Sequence, residues 1–389
     1  MSGQVGPQNP IEDEDVFFGK LQRNVDENRS LEKEEAKEEL INNSENYLKY
    51  SDIPFIPGVE VLRRPTLPDG LLKIQVPDQN FNSTSPVNVR DKYDLFENVE
   101  VLIQGEFRGD PIQASGELVE IDGGMIKVRI TNGTASIANL SQRLPIADQV
   151  SIGELLNPVT YRRRSSAIQL AQDHPIAPYH VGNKPLEFSP RRECNTRKLD
   201  SELYGNEMQK KGIEKALRAD QIACLQGPPG TGKTRVIIEL ARRLNIADNT
   251  ILITAETNAA ADNILVGSST SRKLDESSLI YYHLEGYIRV ARTNISSEKT
   301  HPVARNKLSS SSVKSADIIV STNSSAAELA DRFDYTIIDE ASQAPISSSL
   351  IPIVKSDQSI LVGDHKQLPP VSPQQNKTRK SIFEHLYAE

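Results

Sequence analysis

The chain has 389 residues, of which 37% are hydrophobic and 25% charged, with a formal net charge of −8 at pH 7. That length allows two or three domains at roughly 150 residues each, and the composition supplies enough apolar material for packed cores. No run of about eighteen apolar residues occurs, which excludes a membrane-spanning helix, and residues 1–17 lack the pattern of a secretory signal. Cys194 and Cys224 are too few for a disulfide framework or a structural zinc site, so the expected location is intracellular, cytoplasmic or nuclear.

Much of the acidity lies in one segment. Between Glu12 and Leu40 there are eleven acidic and five basic residues, and the remainder is close to neutral. Basic residues cluster at Arg162, Arg163 and Arg164, and again at Arg191, Arg192, Arg197 and Lys198. These clusters suit a polyanionic partner, and they suit solvated linker charge equally well.

In chain order, residues 1–28 read as a disordered acidic tail. From Ser30 a ragged apolar stripe (Leu31, Ala36, Leu40, Ile41, Leu48) predicts a helix, followed through residue 95 by a Pro-rich linker. Over 96–157 the apolar period becomes two. Val119 and Ile121 lead into Asp122-Gly123-Gly124, and Ile126, Val128 and Ile130 follow, which predicts a hairpin in a small antiparallel sheet or barrel. Residues 158–200 read as a basic connector.

From 201 to 389, short apolar runs at 222–225, 251–254, 288–291, 318–321, 335–338 and 360–362 alternate with helical stretches. Buried parallel strands carry such continuous apolar runs, so the pattern predicts a doubly wound α/β domain. Ser-rich patches at 267–278 and 308–315 read as surface insertions.

The first strand leads into Gly227-Pro228-Pro229-Gly230-Thr231-Gly232-Lys233-Thr234, a G-x-x-x-x-G-K-[ST] phosphate loop with an amphipathic helix after it. Glycines let successive N–H groups curl around phosphate oxygens, and the helix adds its positive end. Lys233 is expected to bridge the β- and γ-phosphates and Thr234 to bind Mg2+. Further on, Tyr335-Thr-Ile-Ile338-Asp339-Glu340 places two carboxylates at a strand end, Asp339 for the metal and Glu340 for the attacking water. A third strand end, Gly363-Asp364-His365-Lys366-Gln367, offers the Gln367 amide as a sensor of the γ-phosphate. No metal-binding cluster surrounds His365 in sequence.

Together these segments resemble superfamily 1 helicases, in particular the Upf-like (Dna/Nam7-like) branch. Asn206-Glu-Met-Gln209-Lys-Lys-Gly212-Ile213 is similar to the family's N-x-x-Q-x-x-A-I element, in which the glutamine reads adenine; Gly212 replaces the usual alanine. Ile253-Thr-Ala-Glu256-Thr257-Asn258-Ala-Ala-Ala-Asp262 resembles A-P-[ST]-N-x-A-x-D, with Glu256 in place of proline. Val320-Ser321-Thr322-Asn323, Asp339-Glu340-Ala-Ser-Gln343-Ala and Gly363-Asp364-His-Lys-Gln367-Leu-Pro-Pro complete the set.

The resemblance implies a P-loop NTPase (RecA-like) domain preceded by a small β-barrel, ATP and Mg2+ as ligands, and single-stranded RNA or DNA as partner. It implies that Gln209 and Gln343, with Gly363 and Asp364, belong to the nucleotide site. Gln343 and Gln367 would couple the γ-phosphate to the strand, which Thr257, Asn258 and Thr322 would touch. Taken singly, Thr and Asn after a strand commonly cap the next helix. The family's second RecA-like domain supplies an arginine pair, worth on the order of 10³–10⁵ in rate in related hydrolases. The sequence ends at Glu389, before such a domain, so slow hydrolysis and no unwinding are expected unless another chain supplies that lobe. Two other readings stay open from the residues alone: a non-motor ATP- or nucleic-acid-binding regulatory module, and another P-loop enzyme such as a kinase.

Overall fold

The computed structural model describes residues 13–62, 70–77, 88–180, 183–189, 200, 203, 205–297, 299–330, 332–367, 369–370 and 381–386. The chain divides into two compact units, Asp26–Arg162 and Met1–Val25 with Arg163–Glu389. No helix among the described residues is long and apolar enough to cross a membrane.

The first unit is built on strands β1 (Phe55–Ile56), β2 (Glu60–Leu62), β3 (Leu71–Gln75), β4 (Glu100–Phe107), β5 (Asp110–Asp122), β6 (Met125–Gly133) and β7 (Asp148–Leu156). All pair antiparallel, in the order β1-β7-β4-β5-β6-β3-β2. The predicted hairpin is present: Asp122 pairs with Met125 across Gly123-Gly124. Alternation puts Ile112, Ala114 and Leu118 of β5 and Ile126, Val128 and Ile130 of β6 into one core. β1 and β2 stand at opposite ends of the order, yet only residues 57–59 separate them in sequence. Val59 N donates to Val150 O at 2.8 Å inside that link. A sheet whose outer strands are so tethered must curl on itself, giving a small barrel.

The second unit contains strands β8 (Ile222–Gln226), β9 (Ile251–Ala255), β10 (Val290–Arg292), β11 (Ile318–Thr322), β12 (Phe333–Ile338) and β13 (Ser356–Gly363). Every pairing is parallel, in the order β10-β11-β9-β12-β13-β8. The six predicted strands are all found. β10 begins two residues later than its apolar run suggests. β13 begins at Ser356, because the run Ser-Asp-Gln-Ser before Ile360 carries no apolar signal. After β8 the helix Lys233–Ile246 carries the chain past β13 and β12 to β9, burying Val236, Leu240, Ala241 and Leu244. The carboxyl ends of β8, β13 and β12 therefore lie side by side, where open α/β sheets hold ligands.

Several expectations need correction. Residues 13–28 are not a disordered tail: a helix runs from Glu14 to Asn42, and Phe17, Phe18, Leu21 and Val25 are buried at helical spacing. Residues 1–12 lie outside the described residues. In the stripe read from Ser30, Leu40 and Leu48 are buried, whereas Leu31 and Ile41 are exposed. The barrel takes three strands from 55–75, within the stretch read as Pro-rich linker. Likewise 158–200 is not simply a connector, since Pro158–Gln172 and Ala177–His180 are helical. Tyr161, Ala167, Ile168 and Ala171 supply a buried face that the arginine run conceals in the sequence.

All three of those arginines have carboxylate partners. Arg162 faces Glu117 at 3.8 Å, Arg163 pairs with Glu328, and Arg164 lies 3.5 Å from Glu256. The second basic cluster, Arg191–Lys198, and Cys194 lie outside the described residues. The Ser-rich patch at 267–278 is more than surface filling: Ser278 is fully buried and caps the helix Leu279–Leu284.

Candidate nucleotide and nucleic-acid site

The phosphate loop leaves β8 beside β13, where Gly227 N donates to Gly363 O at 3.0 Å. Its turn needs left-handed backbone at Gly230 (φ +76°) and Gly232 (φ +81°), a region costly for side-chain-bearing residues. Gly232 opens the helix Lys233–Ile246 without any side-chain cap, leaving the first N–H groups of that helix for another acceptor. Thr231 Oγ1 donates to Pro228 O at 2.7 Å and braces the exposed bend formed by Pro228, Pro229 and Gly230. Thr234 is half-buried in the first helical turn. An uncapped helix end behind a glycine bend fits a phosphate group.

Asp339 and Glu340 follow β12 directly. Asp339 is 6% exposed. Burial first, and then the adjacent Glu340 carboxylate, push its pKa up to about 6, against the opposing Glu340 N–H and Lys233. Its Oδ1 accepts from Glu340 N at 2.9 Å. Glu340 has φ +50°, a strained backbone for a non-glycine residue and one that often marks a functional position. Lys233 Nζ lies 3.5 Å from Glu340 Oε1, so the loop lysine and the acidic strand end converge. Among the described residues no group of three or more metal-binding side chains occurs. Mg2+ takes one or two protein oxygens and completes its shell with phosphates and water. The buried, anion-disfavouring Asp339 fits such an ion, and the Thr234 hydroxyl follows directly on Lys233, which approaches the same strand end.

A chain of polar contacts links the three strand ends. Gln343 Nε2 donates to Glu340 Oε2 at 3.1 Å and to Gln367 Oε1 at 3.1 Å. Gln367 Nε2 reaches Asp364 Oδ2 at 3.5 Å, and Gln226 Nε2 reaches Asp364 Oδ1 at 3.4 Å. Asp364 is buried, which alone would raise its pKa; hydrogen bonds from Lys366 N, Gln226 and Gln367 hold it below the usual range. Its oxygens are thus occupied, and it holds its neighbours in place. Gly363 has no room for a side chain, because a Cβ would stand 2.9 Å from Ser342 N. Ser342 Oγ accepts from Asp364 N at 3.1 Å. Neither Ser342 nor Gln226 was singled out from sequence, although Ser342 lies within the Asp339–Ala344 motif.

Beside the loop lies a cavity of about 360 Å³ walled by Gln209, Gly212, Leu225, Pro228, Val236 and Val362. Asn206 caps the helix Glu207–Leu217 by accepting from Met208 N and Gln209 N, and this sets Gln209 at the cavity. Gln209 Nε2 donates to Thr231 O, so the base-reading candidate touches the phosphate loop itself.

The three strand-contact candidates lie elsewhere on the same sheet, at the carboxyl ends of β9 and β11, where Thr322 pairs in register with Ala255. Thr257 caps the helix Asn258–Val266, with Oγ1 accepting from Ala260 N at 3.2 Å. Asn258 Oδ1 accepts from Arg292 Nη2 at 2.8 Å, and Thr322 Oγ1 from Ser325 N at 3.2 Å. Glu256, the departure from the family pattern, accepts from Asn323 Nδ2 at 3.0 Å and Ser348 Oγ at 2.6 Å. The fold therefore gathers Lys233, Asp339, Glu340, Gln343 and Gln367 around the loop, and Thr257, Asn258 and Thr322 as a separate group.

A family model described as an AAA domain matches residues 205–302 and 283–373. The DNA replication ATP-dependent helicase/nuclease DNA2 of Saccharomyces cerevisiae is 31% identical over 228 residues, 56% of this chain and 13% of that protein. An ATP-dependent helicase of Methanocaldococcus jannaschii, MJ0104, is 29% identical over 324 residues, covering 61% of this chain and 49% of that one. The DNA-binding protein SMUBP-2 of Mesocricetus auratus is 26% identical over 278 residues, covering 56% and 27%. The chain thus spans from about an eighth to about half the length of these relatives. Through its α/β unit, with the phosphate loop, the Asp339-Glu340 strand end and the Gly363-Asp364 strand end in place, this chain is similar to superfamily 1 helicases of the Upf-like and Dna2-like branch.

Proposed function

We propose that this chain binds Mg·ATP between the phosphate loop and the β12 strand end, and hydrolyses it under the control of single-stranded nucleic acid. The approach of Lys233 to Glu340 at 3.5 Å carries this reading, because it brings the two halves of a triphosphate site together. Loop N–H groups and Lys233 would hold the β- and γ-phosphates, and Gln209 would contact the adenine in the adjoining cavity. Thr234 and Asp339 would hold Mg2+, which when bound neutralises charge on the phosphates.

Occupation of Lys233 by phosphate releases Glu340, which then orients a water on the γ-phosphorus and takes its proton. The bond from that phosphorus to the β–γ bridging oxygen breaks, giving ADP and phosphate. Gln343 touches both Glu340 and Gln367, so loss of the γ-phosphate would be felt along the chain of contacts to β13. Thr257, Asn258 and Thr322 would grip a strand backbone. The DNA2 and SMUBP-2 relatives favour DNA as the partner to try first, with RNA as the comparison.

The test is ATP turnover with and without oligo-dT or oligo-U, beside a Lys233→Ala variant. Strand-stimulated turnover that disappears in Lys233→Ala supports the proposal. Turnover equal in both proteins would remove it.

A further inference from the structure

A buried network sits directly behind the strand-contact candidates. Arg292, at the end of β10, and Asp262, in the helix Asn258–Val266, form an ion pair at 3.0 Å with side chains only 1% and 5% exposed. The other nitrogens of the guanidinium are also used. Nη2 donates to Asn258 Oδ1 at 2.8 Å; Nη1 donates to Thr293 O at 2.9 Å and to Thr293 Oγ1 at 3.0 Å. Thr293 Oγ1 is in turn 2.8 Å from Ser321 Oγ, which precedes Thr322 on β11. Asp262 Oδ2 accepts from His301 N at 2.7 Å, so both carboxylate oxygens are satisfied.

One chemical consequence concerns polarity. An asparagine amide has an acceptor end and a donor end. With Oδ1 held by Arg292, the flip that would turn the oxygen outward is blocked, and the two Nδ2 hydrogens are in no hydrogen bond among the described residues. The neighbouring candidates follow the same rule. Thr257 Oγ1 accepts from Ala260 N and Thr322 Oγ1 accepts from Ser325 N, so each hydroxyl keeps its hydrogen as the group to offer. All three residues turn an acceptor toward the protein, and each keeps a donor hydrogen to offer. A cluster whose free hydrogens are its readiest groups suits a ligand that only accepts, as a phosphodiester does, whereas base edges mix both roles.

We infer that Arg292, anchored by Asp262, is a positioning residue that fixes the amide polarity of Asn258 so that this surface selects the phosphate backbone of a single strand. The inference rests on the proposed nucleic-acid binding. Arg292→Lys keeps the positive charge beside Asp262 but loses the planar fork that reaches Asn258 and Thr293 together. Asn258→Asp leaves the buried pair intact, keeps the shape, and replaces the outward donors with an acceptor.

Binding of labelled oligo-dT is measured by fluorescence anisotropy over a range of salt, with Mg·ATP affinity measured in parallel on the same preparations. The expected result is a loss of strand affinity of about tenfold in Arg292→Lys, as for removal of one hydrogen bond to a charged group. At least that loss is expected in Asn258→Asp, with Mg·ATP affinity within about twofold of wild type. Wild-type strand affinity in both variants would overturn the inference while leaving the proposed function standing. Equal loss of strand and nucleotide binding in Asn258→Asp would show the network to be merely architectural, and would also overturn it. If the wild-type chain binds no strand with or without Mg·ATP, the proposed nucleic-acid function itself fails.

Discussion

Removing the charge of Asp339 should stabilise the nucleotide-free protein, and the gain should depend on pH. Burial and the Glu340 carboxylate raise the folded-state pKa of Asp339 from 3.8 to about 6. A group with a raised pKa binds its proton more tightly when folded, so stability falls as pH rises from about 4 through about 6. The interval is roughly two pH units, each worth about 1.36 kcal/mol, so ionising Asp339 costs the fold up to about 3 kcal/mol at neutral pH. Asp339→Asn never ionises, and it retains the oxygen that accepts from Glu340 N. Thermal unfolding of both proteins from pH 4 to pH 8, without nucleotide, measures the effect. At pH 8 the variant should be more stable by about 1–3 kcal/mol, with Tm higher by about 2–4 °C per kcal/mol for a unit of this size. Near pH 4 the two should coincide. A difference independent of pH, or a less stable variant at pH 8, would refute the electrostatic account of this strand end. The ATPase activity of the variant should fall by orders of magnitude, since stability gained by relieving strain at a working site is commonly lost as function.

Three further outcomes follow from single residues. Gly212 lies inside a helix, and a Cβ there would meet only Leu225 Cδ2, at 3.7 Å. Gly212→Ala should therefore raise stability by about 1 kcal/mol, seen as a higher Tm. Gly363→Ala should act the opposite way, because its Cβ would stand 2.9 Å from the Ser342 amide and would displace the carbonyl that holds Gly227. Strain of this kind costs about 1–3 kcal/mol, and Mg·ATP affinity measured by calorimetry should drop with it. Cys224 is half-buried on β8, and loss of water around its thiol pushes it up to about 12. Alkylation at pH 8 followed by peptide mapping should leave Cys224 unmodified in the native protein and modify it fully in denaturant.

The parts of this fold visible in the sequence are those whose signal is local. The Asp122-Gly123-Gly124 turn with alternating flanks specified its hairpin, and six apolar runs specified six parallel strands. What stayed hidden depends on partners distant in the chain. Phe17, Phe18, Leu21 and Val25 form a buried helical stripe, but the surrounding acidic residues dominate the composition there. β1 and β2 are two and three residues long, so neither shows a period; the sheet recruits them through pairing with β7 and β3.

The same division holds for the site. Lys233 and Asp339-Glu340 were legible because phosphate and metal chemistry demands those residues after strands. Gln209, Thr257, Asn258 and Thr322 came from the family resemblance alone. Nothing in the sequence marked Arg292 or Gln226, and Ser342 was visible only as part of the Asp339–Ala344 motif; the importance of all three lies in hydrogen bonds to residues more than twenty positions away.

The most direct measurement is an equilibrium titration of the wild-type chain and Lys233→Ala with ATP in the presence and absence of Mg2+. Saturable uptake by wild type, strengthened by Mg2+ and weakened at least about tenfold by Lys233→Ala, is the result predicted from a lysine and a buried carboxylate meeting on one triphosphate. Uptake that ignores both the metal and the lysine, or no uptake at all, would contradict it.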